Sequence, residues 1–214
     1  MKKNNDLPEI IPIFPLSNFI LFPKTTVPLN IFEPRYIQMI DDSMKSHRLI
    51  GMIQPKRSGE LKKPDLYQVG CIGKITSFNE TEDGRYLIII NGVSRFNIKE
   101  EIVSEKLYRL CKVSYQNYLY DQANRDEPLI NKDLDKIFSD LKNLFKKQGY
   151  VVDWSDLKKN DLASTLNTLS MASPFSLEEK QILLETKDLN TRRLRLEEII
   201  KTYIHDDFRN KTLQ

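Results

Sequence analysis

The chain reads as an α+β protein: a barrel or sandwich of short strands with one inserted helix, followed by a bundle of helices. Three observations predict this. Eight of the ten prolines precede position 65, and six of the seven glycines lie between Gly51 and Gly92. Short strands and turns need such breakers and long helices exclude them, so the two halves belong to different classes. Two Asx-Gly pairs, Asp83-Gly84 and Asn91-Gly92, bracket a run of β-formers, Arg85-Tyr-Leu-Ile-Ile-Ile90. After residue 130 the apolar residues recur at helical spacing.

Taken in order, strands are expected over 10–14 and 27–31. Pro34 suits a first helical position, and Tyr36, Ile37, Ile40 and Met44 then repeat as one face of a helix. A strand over 49–54 follows. Segments 70–79, 85–90 and 94–98 predict a meander, because each Asx-Gly pair supplies the positive φ angles of a two-residue hairpin turn. A last strand is expected over 107–115, making about seven short strands in all. The polar stretch 116–128 reads as a linker. Beyond it, Leu134, Ile137, Phe138, Leu141, Leu144 and Phe145 form one apolar stripe that ends before Gly149. Leu162, Leu166 and Leu169 form a second, which stops before Pro174. Ser176-Leu-Glu-Glu179 is a capping box opening a third helix, in which Leu183 and Leu184 fall, and Leu196, Ile199, Ile200, Tyr203 and Ile204 mark a fourth. These boundaries predict a β subdomain over 8–118, a helical subdomain over 129–205, and a frayed tail over 206–214.

Bulk properties bound the function. A chain of 214 residues buries about 70% of its unfolded surface, enough for one domain or two small ones. It has no room for an ATPase and a protease domain. With 33 basic and 30 acidic residues the net charge is +3, and residues 129–214 hold 15 basic and 14 acidic residues. Neither figure calls for a polyanionic or membrane partner. Lys56-Arg57 and Lys62-Lys63 make one basic loop, which reads as a solvated strand connection rather than a phosphate-binding face. Cys71 and Cys111 stand far apart with no Cys-x-x-Cys pair, so a reduced compartment is expected, with both as small apolar strand residues. Lys2 and Lys3 precede an uncharged stretch, but Pro12, Pro15 and Pro23 break it and no small-x-small site follows. A mature cytoplasmic protein is expected.

No catalytic signature emerges. Gly70-Cys-Ile-Gly73-Lys74 has the wrong spacing for a phosphate loop, and no Gly-x-Ser-x-Gly elbow is present. The two histidines, His47 and His205, sit where helices are expected to end and read as cations complementing the helix dipole. A structural zinc site needs four Cys or His ligands gathered together, and two of each are scattered here. Asp41-Asp42 and Asp206-Asp207 are neighbours that cannot share a helix face, so they read as solvated. The expectation is no catalytic residue, no metal and no cofactor.

The apolar-proline motifs are the most specific feature. Ile11-Pro-Ile-Phe-Pro-Leu16, Leu21-Phe-Pro23 and Val27-Pro-Leu-Asn-Ile-Phe-Glu-Pro-Arg-Tyr36 closely resemble the opening of the Lon protease N-terminal (substrate-binding) domain family. The likeness continues through Asp65-Leu-Tyr-Gln-Val-Gly-Cys-Ile-Gly-Lys-Ile75 and Asp83-Gly-Arg-Tyr-Leu-Ile-Ile-Ile-Asn-Gly-Val-Ser-Arg-Phe96. In the helical half it rests on Asn167-Thr-Leu169, Glu179-Lys-Gln-Ile-Leu-Leu-Glu185 and Arg192-Arg-Leu194. The resemblance covers roughly residues 8–204. It implies a PUA-like pseudo-barrel followed by a helical bundle, in the stand-alone bacterial form without motor or protease. It also implies a role tied to proteolysis: engaging protein or peptide clients rather than cutting them, as an adaptor or weak chaperone. RNA binding through the PUA-like barrel is the alternative. Phe32, Glu33, Pro34, Arg35 and Tyr36 form the strand-to-helix junction and are the candidate binding residues. Their structural reading puts Phe32 and Tyr36 in the core and Pro34 at the helix start, with Glu33 and Arg35 satisfying local charges. A peptide surface would need an exposed apolar patch or groove, sought first at the seam between the halves.

Overall fold

A computed structural model describes residues 7–17, 19–56, 63–122, 134–147, 149–150, 154, 157 and 161–211, with backbone alone over 205–211. The chain divides into two units, Met1–Gln122 and Ala123–Gln214. In the first, β1 (Ile10–Pro15), β2 (Thr26–Ile31), α1 (Pro34–Met44), β3 (Leu49–Ile53), β4 (Val69–Glu80), β5 (Tyr86–Ile102) and β6 (Arg109–Ser114) follow in order. A 3-10 segment, Gln116–Gln122, follows β6.

The six strands form one sheet in the order β2-β5-β4-β3-β1-β6, and a further β5–β6 pairing closes it on itself. β1 and β3 run parallel and the other pairs antiparallel. Alternation puts one face of each strand inside. On β5, Tyr86, Ile88 and Ile90 are buried while Leu87 and Ile89 face solvent. Ile11, Ile13, Ile53, Leu66, Ile72, Phe96, Cys111 and Val113 fill the interior. Both cysteines are free and buried, and burial pushes the Cys111 thiol up to about 11.

Two turn predictions are corrected. Asp83-Gly84 does lie in the β4–β5 hairpin, with Gly84 at φ +76°. The loop there spans 81–85 rather than two residues and is closed by the Thr81 amide donating to the Arg85 carbonyl at 2.9 Å. Asn91-Gly92 is no turn at all, because β5 runs straight through it. Among the described residues six strands therefore stand where about seven are expected. Gly92 is there for close backbone approach: its N–H donates to the Thr25 carbonyl at 2.8 Å, and its carbonyl accepts from the Lys24 amide at 2.8 Å. The turn at 23–25 thus docks on the middle of β5. Before this point β5 pairs with β2 (Ile90 opposite Val27), and after it with β6 (Ile98 opposite Val113). A Cβ on Gly92 would lie 2.0 Å from the Phe22 carbonyl oxygen. Backbone cannot yield as a side chain can, so Gly92→Ala is expected to cost at least the ~1–3 kcal/mol of an overpacked site. A urea titration followed by circular dichroism measures it; a loss below half a kcal/mol would contradict the assigned role.

The predicted linker is corrected at its start. Gln116–Gln122 is part of the first unit, because Tyr118 is 4% exposed and Asp121 pairs with the buried Arg95 at 2.8 Å. The rest of that stretch lies outside the described residues.

The second unit is helical: α2 (Leu134–Lys147), α3 (Leu162–Ala172), α4 (Leu177–Glu185) and α5 (Leu189–Lys211). α5 packs against α2, α3 and α4. Most predicted stripe positions are buried, from Ile137 and Leu141 to Leu166, Leu183, Leu196 and Ile200, while Leu134, Leu162, Ile199, Tyr203 and Ile204 are half-buried. Trp154 meets Phe138 and Phe145 edge-on, with ring centroids 6.1 and 5.5 Å apart. The capping box forms as predicted: the Ser176 amide donates to Glu179 at 2.8 Å and the Glu179 amide to the Ser176 hydroxyl at 3.2 Å. Asp161 and Asp188 accept from the Ser164 and Thr191 amides in the same way at α3 and α5. The α5 backbone continues past His205 to Lys211, into the stretch expected to fray. The side chains of His205, Asp206 and Asp207 lie outside the described residues.

Candidate functional site

The strand-to-helix junction starts from Pro34, whose fixed φ suits the first helical position and whose missing N–H leaves no orphan donor. Glu33 precedes it in extended conformation, and its carbonyl accepts from the Tyr36 and Ile37 amides at 2.9 Å each. The Glu33 carboxylate does not cap the helix; it accepts from Arg35 Nε at 2.9 Å. Arg35 in turn lies 4.5 Å from the Tyr36 ring centroid. Tyr36 is buried against Phe14, ring centroids 4.2 Å apart, and its hydroxyl donates to the Pro15 carbonyl at 3.3 Å. Burial raises its pKa above the usual phenol value. Phe32 is not core: it is 65% exposed. Ile31, the last residue of β2, is buried, so strand alternation sends the next side chain outward.

Arg35 and Tyr36 open onto a cleft of about 430 Å³ in the first unit. Phe32, Glu33 and Pro34 do not line it. Its other walls are Ile13, Pro15 and Ser17 at β1, Pro55, Lys63 and Pro64 of the β3–β4 connection, Val103, Ser104, Lys106, Leu107 and Tyr108 of the β5–β6 loop, and Glu101, Ile102 and Arg109 at its ends. That loop replaces the first part of the strand expected over 107–115.

Side chains of α1 hold the loop in place. Gln38 Oε1 accepts from the Leu107 amide at 2.9 Å. Asp42 accepts from Lys106 Nζ and from the Tyr108 hydroxyl, each at 2.9 Å. Hydrogen bonds from Lys106 and then Tyr108 hold the Asp42 carboxyl below its usual range. Burial, with Asp42 alongside, pushes the Tyr108 phenol up to about 12. Asp41 accepts from the Tyr86 hydroxyl at 3.0 Å. The Asp41-Asp42 pair, expected to be merely solvated, instead ties α1 to the sheet and to this loop. No local signal reveals this, because the partners lie 45 and 66 positions away.

Opposite, Glu101 takes a bidentate contact from Arg109, at 2.8 and 3.2 Å, and a second cation, Lys63, at 2.9 Å. Burial works to raise the Glu101 carboxyl, but hydrogen bonds from Arg109 and Lys63 outweigh it and hold the value low. Arg109 also donates to the Pro64 carbonyl at 2.8 Å. Between these charges, Val103 is fully exposed and Leu107 62% exposed. Among the described residues no three His, Cys, Asp or Glu side chains gather to hold a metal. No helix there is long and apolar enough to cross a membrane. His47 sits exposed in the turn after α1.

The model of the ATP-dependent protease La (LON) substrate-binding domain matches residues 10–202. The chain belongs to this family. Among curated LON relatives, the Lon protease of Desulfosudis oleivorans is 28% identical over 93% of this chain, and that of Syntrophus aciditrophicus 27% identical over 87%. The chain spans only 24% of the length of either. Two solved LON structures share the fold. The N-terminal domain of Mycobacterium avium complex Lon protease matches 90% of this chain and 98% of its own at a TM-score of 0.63 and 17% identity. A Lon N-terminal domain protein from Xanthomonas campestris matches 90% and 97%, also at 0.63, with 20% identity.

Proposed function

We propose that this LON-family chain is a non-catalytic recognition module for other protein chains, acting in the cytoplasm as an adaptor or weak chaperone. Its clients are extended segments carrying apolar side chains, and they bind in the cleft beside α1. The observation that carries this reading is the pair Val103 and Leu107: apolar and exposed, on a loop whose Leu107 amide and Tyr108 hydroxyl are held by Gln38 and Asp42. Apolar side chains held open to water in advance lose little freedom when a partner covers them. Family membership supports the same reading. Of the junction residues, Arg35 and Tyr36 are the ones proposed to meet the client.

Fluorescence anisotropy with short labelled peptides rich in Leu, Phe and Tyr tests it. Covering a Val or Leu side chain contributes about 1.5–3 kcal/mol. The double replacement Val103→Ser and Leu107→Ser is therefore expected to weaken binding by roughly tenfold or more. Both sites are solvent-exposed, so thermal stability is expected to change little. Unchanged affinity in the folded variant would refute the placement.

A further inference from the structure

The charges around this cleft are lopsided. Arg35, Lys63, Lys106 and Arg109 line it, and Glu101 is the one carboxylate among the described lining residues. Two further carboxylates sit just behind, Glu33 on Arg35 at 2.8 Å and Asp42 on Lys106 at 2.9 Å. Glu105, on the same loop, is exposed but does not line the cleft, and Glu101 serves Lys63 and Arg109 together. The chain as a whole is nearly balanced, with 33 basic and 30 acidic residues, so the bias belongs to this site. The side chains of Arg35, Lys63 and Lys106 are 42%, 67% and 46% exposed. Ion pairs this open to water exchange partners readily. A lysine also carries three donors and an arginine five, more than one carboxylate oxygen can occupy.

We infer that the cleft selects acidic clients: extended protein segments in which Asp or Glu flanks a Leu-sized or aromatic side chain. This rests on the peptide-binding reading above and adds the charge class. The apolar residue lies over Val103 and Leu107, and the flanking carboxylates reach Lys106 on one side and Lys63 or Arg35 on the other. Clustered cations bordering an apolar strip give such a segment both attraction and register.

Three labelled peptides that differ only in their flanks (Glu, Gln or Lys around one Leu-Phe core) separate the inference from the reading beneath it. With the full chain at low salt, the Glu peptide is expected to bind about tenfold more tightly than the Gln peptide, and the Lys peptide most weakly. The gap is expected to shrink as salt screens the exposed charges. Lys63→Gln with Lys106→Gln is expected to abolish the Glu preference, so that the Glu and Gln peptides bind alike. Lys63→Gln alone, remote from the α1 contacts, halves the gap or more and guards against a misfolded double variant. Equal binding of all three peptides overturns the acidic preference and leaves peptide recognition standing. Binding of none overturns both. A single-stranded RNA that displaces the Glu peptide and binds more tightly would overturn the protein client in favour of a polyanion.

Discussion

Replacing Asp121 with Ala is expected to destabilise the barrel unit by about 3–5 kcal/mol, the usual cost of removing one partner from a buried ion pair. Arg95 is 2% exposed. Its Nε and Nη2 donate to the two Asp121 carboxylate oxygens at 2.8 Å each, and its own amide donates to Oδ2 at 2.9 Å. The guanidinium also lies 4.2 Å from the Tyr118 ring centroid. Losing the carboxylate removes three hydrogen bonds and an ion pair from the buried Arg95 and loosens the Gln116–Gln122 segment on β5. Arg95→Met is expected to cost less than Asp121→Ala, and the two together less than the sum, since the second change removes the charge that the first exposes. Urea denaturation followed by far-ultraviolet circular dichroism measures all three. A loss under 1 kcal/mol for Asp121→Ala would mean that the pair is incidental to the barrel.

The second large effect is expected at Arg192, which is fully buried in the helical unit. Its Nε donates to the Leu183 carbonyl at 2.9 Å and lies 3.3 Å from the Thr186 hydroxyl, while Nη1 donates to Asn167 Oδ1. One guanidinium on α5 thereby satisfies a carbonyl at the C-terminal end of α4 and joins it to α3. Charged hydrogen bonds contribute about 1.5–3 kcal/mol each, while the Leu183 carbonyl keeps a second donor, the Thr186 hydroxyl at 2.7 Å. Arg192→Met is expected to lose about 3 kcal/mol or more. Arg192→Lys is expected to rescue little, because one ammonium cannot span two acceptors as a planar fork does. The chain has a single tryptophan, Trp154, packed on Phe138 and Phe145 in this unit. Its emission therefore follows the relevant transition. Full rescue by lysine would show that charge, rather than shape, is what α3 and α4 need.

Local patterns carried much of the fold. The breaker distribution separates strands from helices, Pro34 marks the start of α1, and the Ser176–Glu179 box marks α4 because a cap is a contact between residues three positions apart. What stayed hidden depends on distant partners. Gly92 has the same sequence context whether it turns a hairpin or admits a neighbouring backbone, and only the docked 23–25 turn decides between them. Asp121 looks like linker until Arg95, 26 positions earlier, is known to be buried. At the candidate site, the junction motif led to Arg35 and Tyr36, but Leu107 and Tyr108 read as strand and 99–106 carried no signal at all. Lys106, Leu107 and Glu101 join the cleft only because β5 and β6 meet on the side of the barrel that α1 covers.

The closing of the sheet also sets a schedule for the growing chain. β1 pairs with β6 through contacts such as Ile11 opposite Cys111, so one of the first strands made must wait for the last strand of its unit. At a synthesis rate of ~5–20 residues per second, that wait is roughly 5–20 seconds. During it one edge of β1 has no strand to pair with, and Ile11 and Ile13 lack part of their interior. By strand alternation the missing N–H of Pro15 lies on that edge and the missing N–H of Pro12 on the opposite one, which faces β3, so each edge of β1 denies one donor to a passing strand while the rest of the barrel is still being made.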